Sequence, residues 1–499
     1  MGPKRERVSD FSAGKEESSM KKLAGLKPAS VFEHFEAICA IPHGSGNTKA
    51  ISDHCVGIAR KLGLKYRQDE HNNVIIWKPG TRGYENSAPV MLQGHLDMVA
   101  VKEPSCDLDL ERDGLRLTQR WDYISASDTS LGGDDGIAVA YALALLESED
   151  ITHPPLEVVL TVDEEIGMLG AAALDMSDLK SRRMLNLDSE EEGHLLVSCA
   201  GGLRANCHIP VEWEQQEGTK YTLLLMNCTG GHSGTEIHRG GANANVLMGR
   251  ILNELQNRCP LSVGRVSGGE KDNAIASNAV AKFLLRGDEE TLRKALHEVS
   301  EKLKEEYRVT DPELSIHCFA VPDCSASVMT QESGRRVLSA LTSFPPGVQQ
   351  MDRMTGTVQT SLNLGILKTE EREVTLSYSV RSSVEREKRA VADKLISMTE
   401  QLGGHVDVTG DYPGWAYRED SPLRDTMVEV YKRVYHRKPL VMGMHAGVEC
   451  GLFVSRLPGL DCVSFGPDME NIHTTEERLS VKSVQRTWNY LLAVLKALR

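Results

Sequence analysis

The sequence predicts an α/β protein in two parts. A discontinuous domain is formed by both ends of the chain, and an α+β domain is inserted between them. Three observations carry this expectation. The chain has 499 residues, more than one ordinary core accommodates. Apolar runs of strand length alternate with helical stretches before Cys207 and again after Asp411. Between these regions the order of strands and helices nearly repeats itself. The expected segments are a polar tail over 1–24, an outer domain over 25–206 and 409–499, and an inserted domain over 207–408.

In chain order, residues 29–64 read as helix interrupted by the loop IPHGSGN. VIIWKPG and APVMLQGHLDMV read as strands, and IAVAYALALLES as an apolar helix. LEVVLTV and RRMLNLD read as further strands. The outer domain is therefore expected to hold a mixed, mostly parallel sheet flanked by helices. In the insert, YTLLLMN, a helix, AIASNAVAKFLL, a second helix and LSIHCFAV suggest a βαββαβ unit. ESGRRVLSALTSF, TSLNLGIL, EVTLSYSVRSS, a helix and HVDVTGD suggest a near-copy following it. After Asp411 come the helix PLRDTMVEVYKRVY, the glycine-rich GMHAGVECGLF, the strand DCVSFGP and a final helix.

Composition narrows the function. Hydrophobic residues make up 40%, enough for sizeable cores. A net charge of −14 disfavours nucleic acid and anionic membrane surfaces as partners. No stretch approaches the ~20 apolar residues of a membrane span. The first residues lack the apolar segment of a signal peptide, and Glu6 breaks a myristoylation motif at Gly2. Eleven cysteines, scattered and odd in number, suggest reduced thiols and a cytoplasmic protein.

The chemistry-bearing residues sit where apolar strands end. His95 and Asp97 close VMLQGHLD on one face, where Asp97 could orient a metal-binding His95 ring; a strand terminus entering a polar turn is the alternative, and for an isolated HxD the usual one. Asp134 and Asp135 lie in LGGDDG before a helix, where capping alone explains one acid. Glu164 and Glu165 follow LEVVLTVD. A turn after Val162 would bring both to one cavity, one to bind metal and one to take a proton from water. A solvated turn is the alternative, and Asp163 receives no role. Asp188 ends RRMLNLD, and His473 follows a late strand. Taken together, five strands each deliver an acid or histidine at the sheet edge where open α/β sheets bind ligands. Mixed histidine and carboxylate donors suit zinc, with manganese or cobalt as substitutes.

The order GHLDMV, LGGDDGIA, TVDEEIGM, NLDSEEEG, GGHSG, HAGVECG and a late histidine resembles the dinuclear zinc metallopeptidases that include aminoacylase and carnosinase. DSEEEG with CAGG, GGHSGTEIH and YPGW is similar to the subgroup that cleaves Xaa-His dipeptides. The resemblance covers roughly residues 25–499. It implies a discontinuous zinc-peptidase domain with a lid, and two zinc ions per chain. His95 and Asp188 would hold one ion, Glu165 and His473 the other, and Asp134 both. Glu164 would be the general base toward a water bridged by the zincs, and Asp97 would orient His95. The resemblance also implies a cis peptide at Asp134–Asp135. From the lid, His232 would polarise the scissile carbonyl, and Arg381 would pair with the substrate carboxylate. His445 and Gly447 would line the pocket. The expected substrate is a short peptide such as β-Ala-His, and the chain a monomer or homodimer. Alternatives are a broader di- or tripeptidase, an N-acyl amino acid deacylase, or, against the intact ligand set, a non-catalytic homologue.

Overall fold

The computed structural model describes residues 22–321, 325–344 and 346–499. Most of the expected polar tail lies outside the described residues. The ends of the chain build an eight-stranded sheet, in the order Lys65–Gln68, Val74–Lys78, Leu156–Thr161, Val90–His95, Arg183–Asn186, Asp461–Ser464, His194–Cys199, Leu440–Met444. The four strands from Leu156–Thr161 to Asp461–Ser464 in this order run parallel; Val74–Lys78 and His194–Cys199 join them antiparallel on either side, and Leu440–Met444 at the edge pairs parallel with His194–Cys199. The parallel strands are buried throughout apart from Arg183, as a strand covered on both faces requires.

The helix Gly133–Glu147 lies against this sheet and is buried except at Glu147. Its approach depends on Gly94, where a Cβ would sit 2.5 Å from Asp135 Oδ2 and 2.8 Å from Ala138 Cβ. One apolar core joins this helix, Ala29–Cys39, Pro422–Tyr435 and Val481–Ala497 to the sheet. The N- and C-terminal regions thus share a core, although more than 200 residues separate them in sequence.

A nine-stranded antiparallel sheet runs from Gly201 to Tyr412, with its own core. Its first unit contains Thr219–Met226, Leu261–Gly268, Ala279–Leu285 and Ser315–Val321 with two helices. The second unit departs from the sequence expectation. It does not follow the first as a self-contained copy. Its first strand is Gly201–Pro210, which precedes the first unit in the chain and pairs with both Glu373–Ser382 and His405–Tyr412. The first unit is therefore nested inside the second. The reason is non-local: hydrogen bonds from two strands far along the chain hold Gly201–Pro210. The expected boundaries at 207 and 408 fall inside Gly201–Pro210 and His405–Tyr412.

Candidate active site

Three parallel strands and two further segments converge on one cluster of side chains at the C-terminal edge of the larger domain's sheet. Val90–His95 delivers His95 and Asp97, Leu156–Thr161 delivers Glu164 and Glu165, and Arg183–Asn186 delivers Asp188. Asp134 comes instead from the start of a helix, and His473 from the loop after Met469–Glu470. The expectation that five strands would each deliver a residue holds for three. The other two positions are reached by segments anchored to a separate four-stranded sheet and to Glu477.

Asp134 lies between the two histidines. Its Oδ1 is 3.2 Å from His95 Nε2 and its Oδ2 is 3.0 Å from His473 Nε2. His95 Nε2 is also 3.6 Å from Asp188 Oδ1. His473 Nε2 is 2.8 Å from Glu165 Oε1, yet that oxygen has no partner in hydrogen-bonding geometry. The Asp134–Asp135 peptide is cis, and neither residue has helical dihedrals. Asp135 Oδ2 accepts the His95 backbone N–H at 3.2 Å, while Oδ1 is buried without a partner.

Asp97 does more than face the His95 ring. His95 Nδ1 lies 2.9 Å from the Asp97 carbonyl and 3.5 Å from its Oδ1. The Asp97 carboxylate accepts the backbone N–H of Glu164 at 3.1 Å and the Ser45 hydroxyl at 2.8 Å. Asp163 supplies the turn that the adjacent glutamates need. Its φ is +55°, a left-handed conformation, and its Oδ1 accepts the Gly46 N–H at 2.7 Å. Glu477, on the C-terminal segment, accepts N–H groups of Leu131, Gly132 and Gly133 at 2.7, 3.0 and 2.8 Å, and of Asp134 at 3.4 Å. Its carboxylate fixes the whole LGGDDG turn.

The electrostatics follow from crowding acids in a buried place. Burial pushes the Glu164 carboxyl up to about 8. Burial likewise holds Asp188 and Asp135 well above the usual carboxylate range. Burial opposes charge on Asp134 too, but His473 and His95 hold it well below that range. Hydrogen bonding to Asp134, and Glu165 beside it, push His473 up to about 10. Carboxylates concentrated this way are relieved by cationic charge.

A second group of residues lies around the segment His445–Glu449. Glu449 accepts from Gln93 Nε2 and Thr161 Oγ1 at 2.5 and 2.6 Å, on the strands that deliver His95 and Glu164. His445 Nε2 is 2.7 Å from Ser361 Oγ. Arg381 donates to the Tyr412 hydroxyl at 3.2 Å, and its buried Nε has no partner. Tyr412 packs against Gly447, where a Cβ would sit 2.7 Å from its ring. His232 Nδ1 accepts the N–H groups of Gly234 and Thr235 at 3.3 and 3.2 Å, which leaves the proton on Nε2. A Cβ on Gly234 would meet the His445 carbonyl at 2.5 Å, so the GGHSG loop sits directly on this segment.

The structure thus gathers His95, Asp97, Asp134, Glu164, Glu165, Asp188 and His473 in one cluster, and His232, Arg381, His445 and Gly447 in a second. Both border residues 445–449. Sequence reasoning gives no role to Asp135, Ser45, Tyr412, Glu449 and Glu477, although Asp135, Tyr412 and Glu449 lie inside the motifs LGGDDG, YPGW and HAGVECG.

A buried set of imidazoles and carboxylates at the edge of a mostly parallel sheet, under an inserted second sheet, defines a metal-dependent hydrolase. Residues 91–497 match the model of peptidase family M20/M25/M40, and the chain belongs to that family. It is 34% identical over 481 residues to the cytosol non-specific dipeptidase of Escherichia coli (strain K12), spanning 96% of this chain and 99% of that protein. The crystal structure of aminoacylhistidine dipeptidase from Vibrio alginolyticus matches with a TM-score of 0.91 at 36% identity, covering 95% of this chain and 98% of that one. Aminopeptidase PepT from Bacillus cereus shares the fold, with a TM-score of 0.55 at 16% identity over 95% of this chain and 99% of that one. The chain is a metallopeptidase. The ten described cysteines are free. No helix among the described residues is long and apolar enough to cross a membrane.

Proposed function

We propose that this metallopeptidase is a cytosolic dipeptidase that hydrolyses Xaa-His dipeptides, β-Ala-His among them, on two zinc ions. The observation that carries the reading is Asp134, with one oxygen toward His95 and the other toward His473. His95 and Asp188 are assigned to one cation, Glu165 and His473 to the other, and Asp134 to both. The residues fit that group. Glu165 Oε1 is buried without a hydrogen bond, and nitrogen and oxygen donors suit zinc, with cobalt or manganese as substitutes. When bound, such ions supply Lewis acidity and make water a nucleophile near neutral pH.

The protein's own groups do the rest. Asp97 fixes the His95 ring and the backbone of Glu164 together. Glu164 takes a proton from the attacking water and returns it to the leaving amine. His232, with its proton on Nε2, donates to the scissile carbonyl as charge develops there. Arg381 meets the substrate carboxylate with its free Nε–H, and this restricts the enzyme to short peptides. His445 and Gly447 shape the pocket, Gly447 by leaving room for Tyr412. His232 is assigned to its own chain's site, since its loop rests on that chain's His445. Mixing Glu164→Ala with His232→Ala protein leaves activity lost; recovery through subunit exchange would contradict this assignment.

A broader dipeptidase is the second reading, favoured by the name of the Escherichia coli relative. Rates on β-Ala-His, Ala-His, a dipeptide without histidine such as Ala-Ala, Gly-Gly-Gly and an N-acetyl amino acid, with and without a chelator, separate the readings. Chelator-sensitive preference for the two histidine dipeptides supports the proposal. Equal rates on unrelated dipeptides support the second reading.

A further inference from the structure

Apart from the acidic cluster, the outer face of the inserted sheet carries a second group of metal-type donors. His208 lies on Gly201–Pro210 and His405 directly opposite it on the edge strand His405–Tyr412. Alternation places Asp407 on the same face as His405. Glu373 is on the strand at the other side, two residues from Thr375, which pairs with His208. The neighbours Ala205, Cys207, Val374 and Leu376 point the other way into the core, so these polar side chains face outward by register.

Their geometry is ordered. The two imidazole rings stack with centroids 4.7 Å apart and planes 10° from parallel. His208 Nδ1 is 2.7 Å from Glu373 Oε1. A carboxylate accepts, so Nδ1 carries the proton and Nε2 is left as the coordinating atom. That nitrogen is 3.5 Å from Asp407 Oδ2. Donor atoms of His208, His405 and Asp407 lie within 4.8 Å of one another. Glu373 stands behind His208 as the carboxylates behind metal-bound histidines do, fixing tautomer and ring orientation.

We propose that His208, His405 and Asp407 form a divalent transition-metal site, separate from the active centre, with Glu373 as the positioning residue. Two imidazoles and one carboxylate match the three-ligand sets that bind zinc with a fourth position open to water. A cation there cross-links the edge strand of the sheet to its neighbour. The same strand ends at Tyr412, which receives the Arg381 hydrogen bond.

The test is zinc stoichiometry of the full-length chain, stripped by chelator and titrated with Zn²⁺ against a chromophoric competitor. Wild-type protein is expected to bind one equivalent more per chain than His405→Ala, whatever number the active centre holds. Asp407→Asn is expected to lose that equivalent or weaken it at least about tenfold. Glu373→Gln is expected to keep it with affinity reduced about 10- to 100-fold. His405 and Asp407 are exposed, so these variants keep their cores, and circular dichroism checks that they fold. Equal stoichiometry in wild type and His405→Ala overturns the proposal. So does an Asp407→Asn protein with unchanged zinc affinity.

Discussion

The Asp97 carboxylate accepts the backbone N–H of Glu164 at 3.1 Å. Asp97 therefore positions both a metal-type histidine, through its carbonyl at 2.9 Å and its carboxylate at 3.5 Å from His95 Nδ1, and the proposed base, through its carboxylate. Asp97→Asn keeps the shape but removes one accepting oxygen. The expected result is a 10- to 100-fold fall in both cation affinity and kcat. Chelator competition and steady-state kinetics measure the two. If neither moves, Asp97 does not hold this arrangement.

Arg381 is expected to read the substrate carboxylate through its partnerless Nε. Arg381→Lys keeps the charge and loses the planar fork. KM is expected to rise about 10- to 100-fold, with a smaller change in kcat. A dipeptide amide, which lacks the carboxylate, is expected to respond little to the substitution. Equal losses on acid and amide substrates would place Arg381 elsewhere in the mechanism.

Glu477 holds N–H groups of four consecutive residues, from Leu131 to Asp134. Glu477→Gln leaves one accepting oxygen, so buried N–H groups lose their partner. Destabilisation of at least about 2 kcal/mol is expected, read from denaturant midpoints. Cation affinity is expected to fall with it, because Asp134 is at the end of the turn. A variant of wild-type stability would show that solvent replaces the carboxylate.

His445 gives a pH prediction. Burial, reinforced by the nearby Arg381 charge, lowers its pKa to about 3. An unfolded histidine titrates near 6.5. Between these values the unfolded chain binds the extra proton, so this group's contribution to stability falls as pH drops through that window. His445→Gln removes the effect. The acid limb of its stability profile is expected to be flatter by up to roughly 1.4 kcal/mol per pH unit. Parallel profiles for wild type and variant would contradict the assignment.

Much of this site was legible in the sequence, for a physical reason. A residue at the end of an apolar strand is placed by local periodicity, so the shared edge of His95, Asp97, Glu164, Glu165 and Asp188 could be read from their runs taken together, while their separate roles came only from the resemblance. Asp163 could not be explained this way. Its partner Gly46 is 117 residues away, and nothing local points to it. Glu477 hides for the same reason, 343 residues from Asp134. The nested strand Gly201–Pro210 belongs with partners almost 200 residues downstream. Periodicity assigns strands, but only tertiary hydrogen bonding decides which unit they complete.

The central claim is that Glu164 moves the proton while its neighbour Glu165 and four other residues hold the cations. Glu164→Gln measured for both turnover and bound metal tests it most directly. The account predicts unchanged metal content with less than about one hundredth of the wild-type rate on β-Ala-His. A variant that retains more of its rate, or loses a cation together with its turnover, contradicts it.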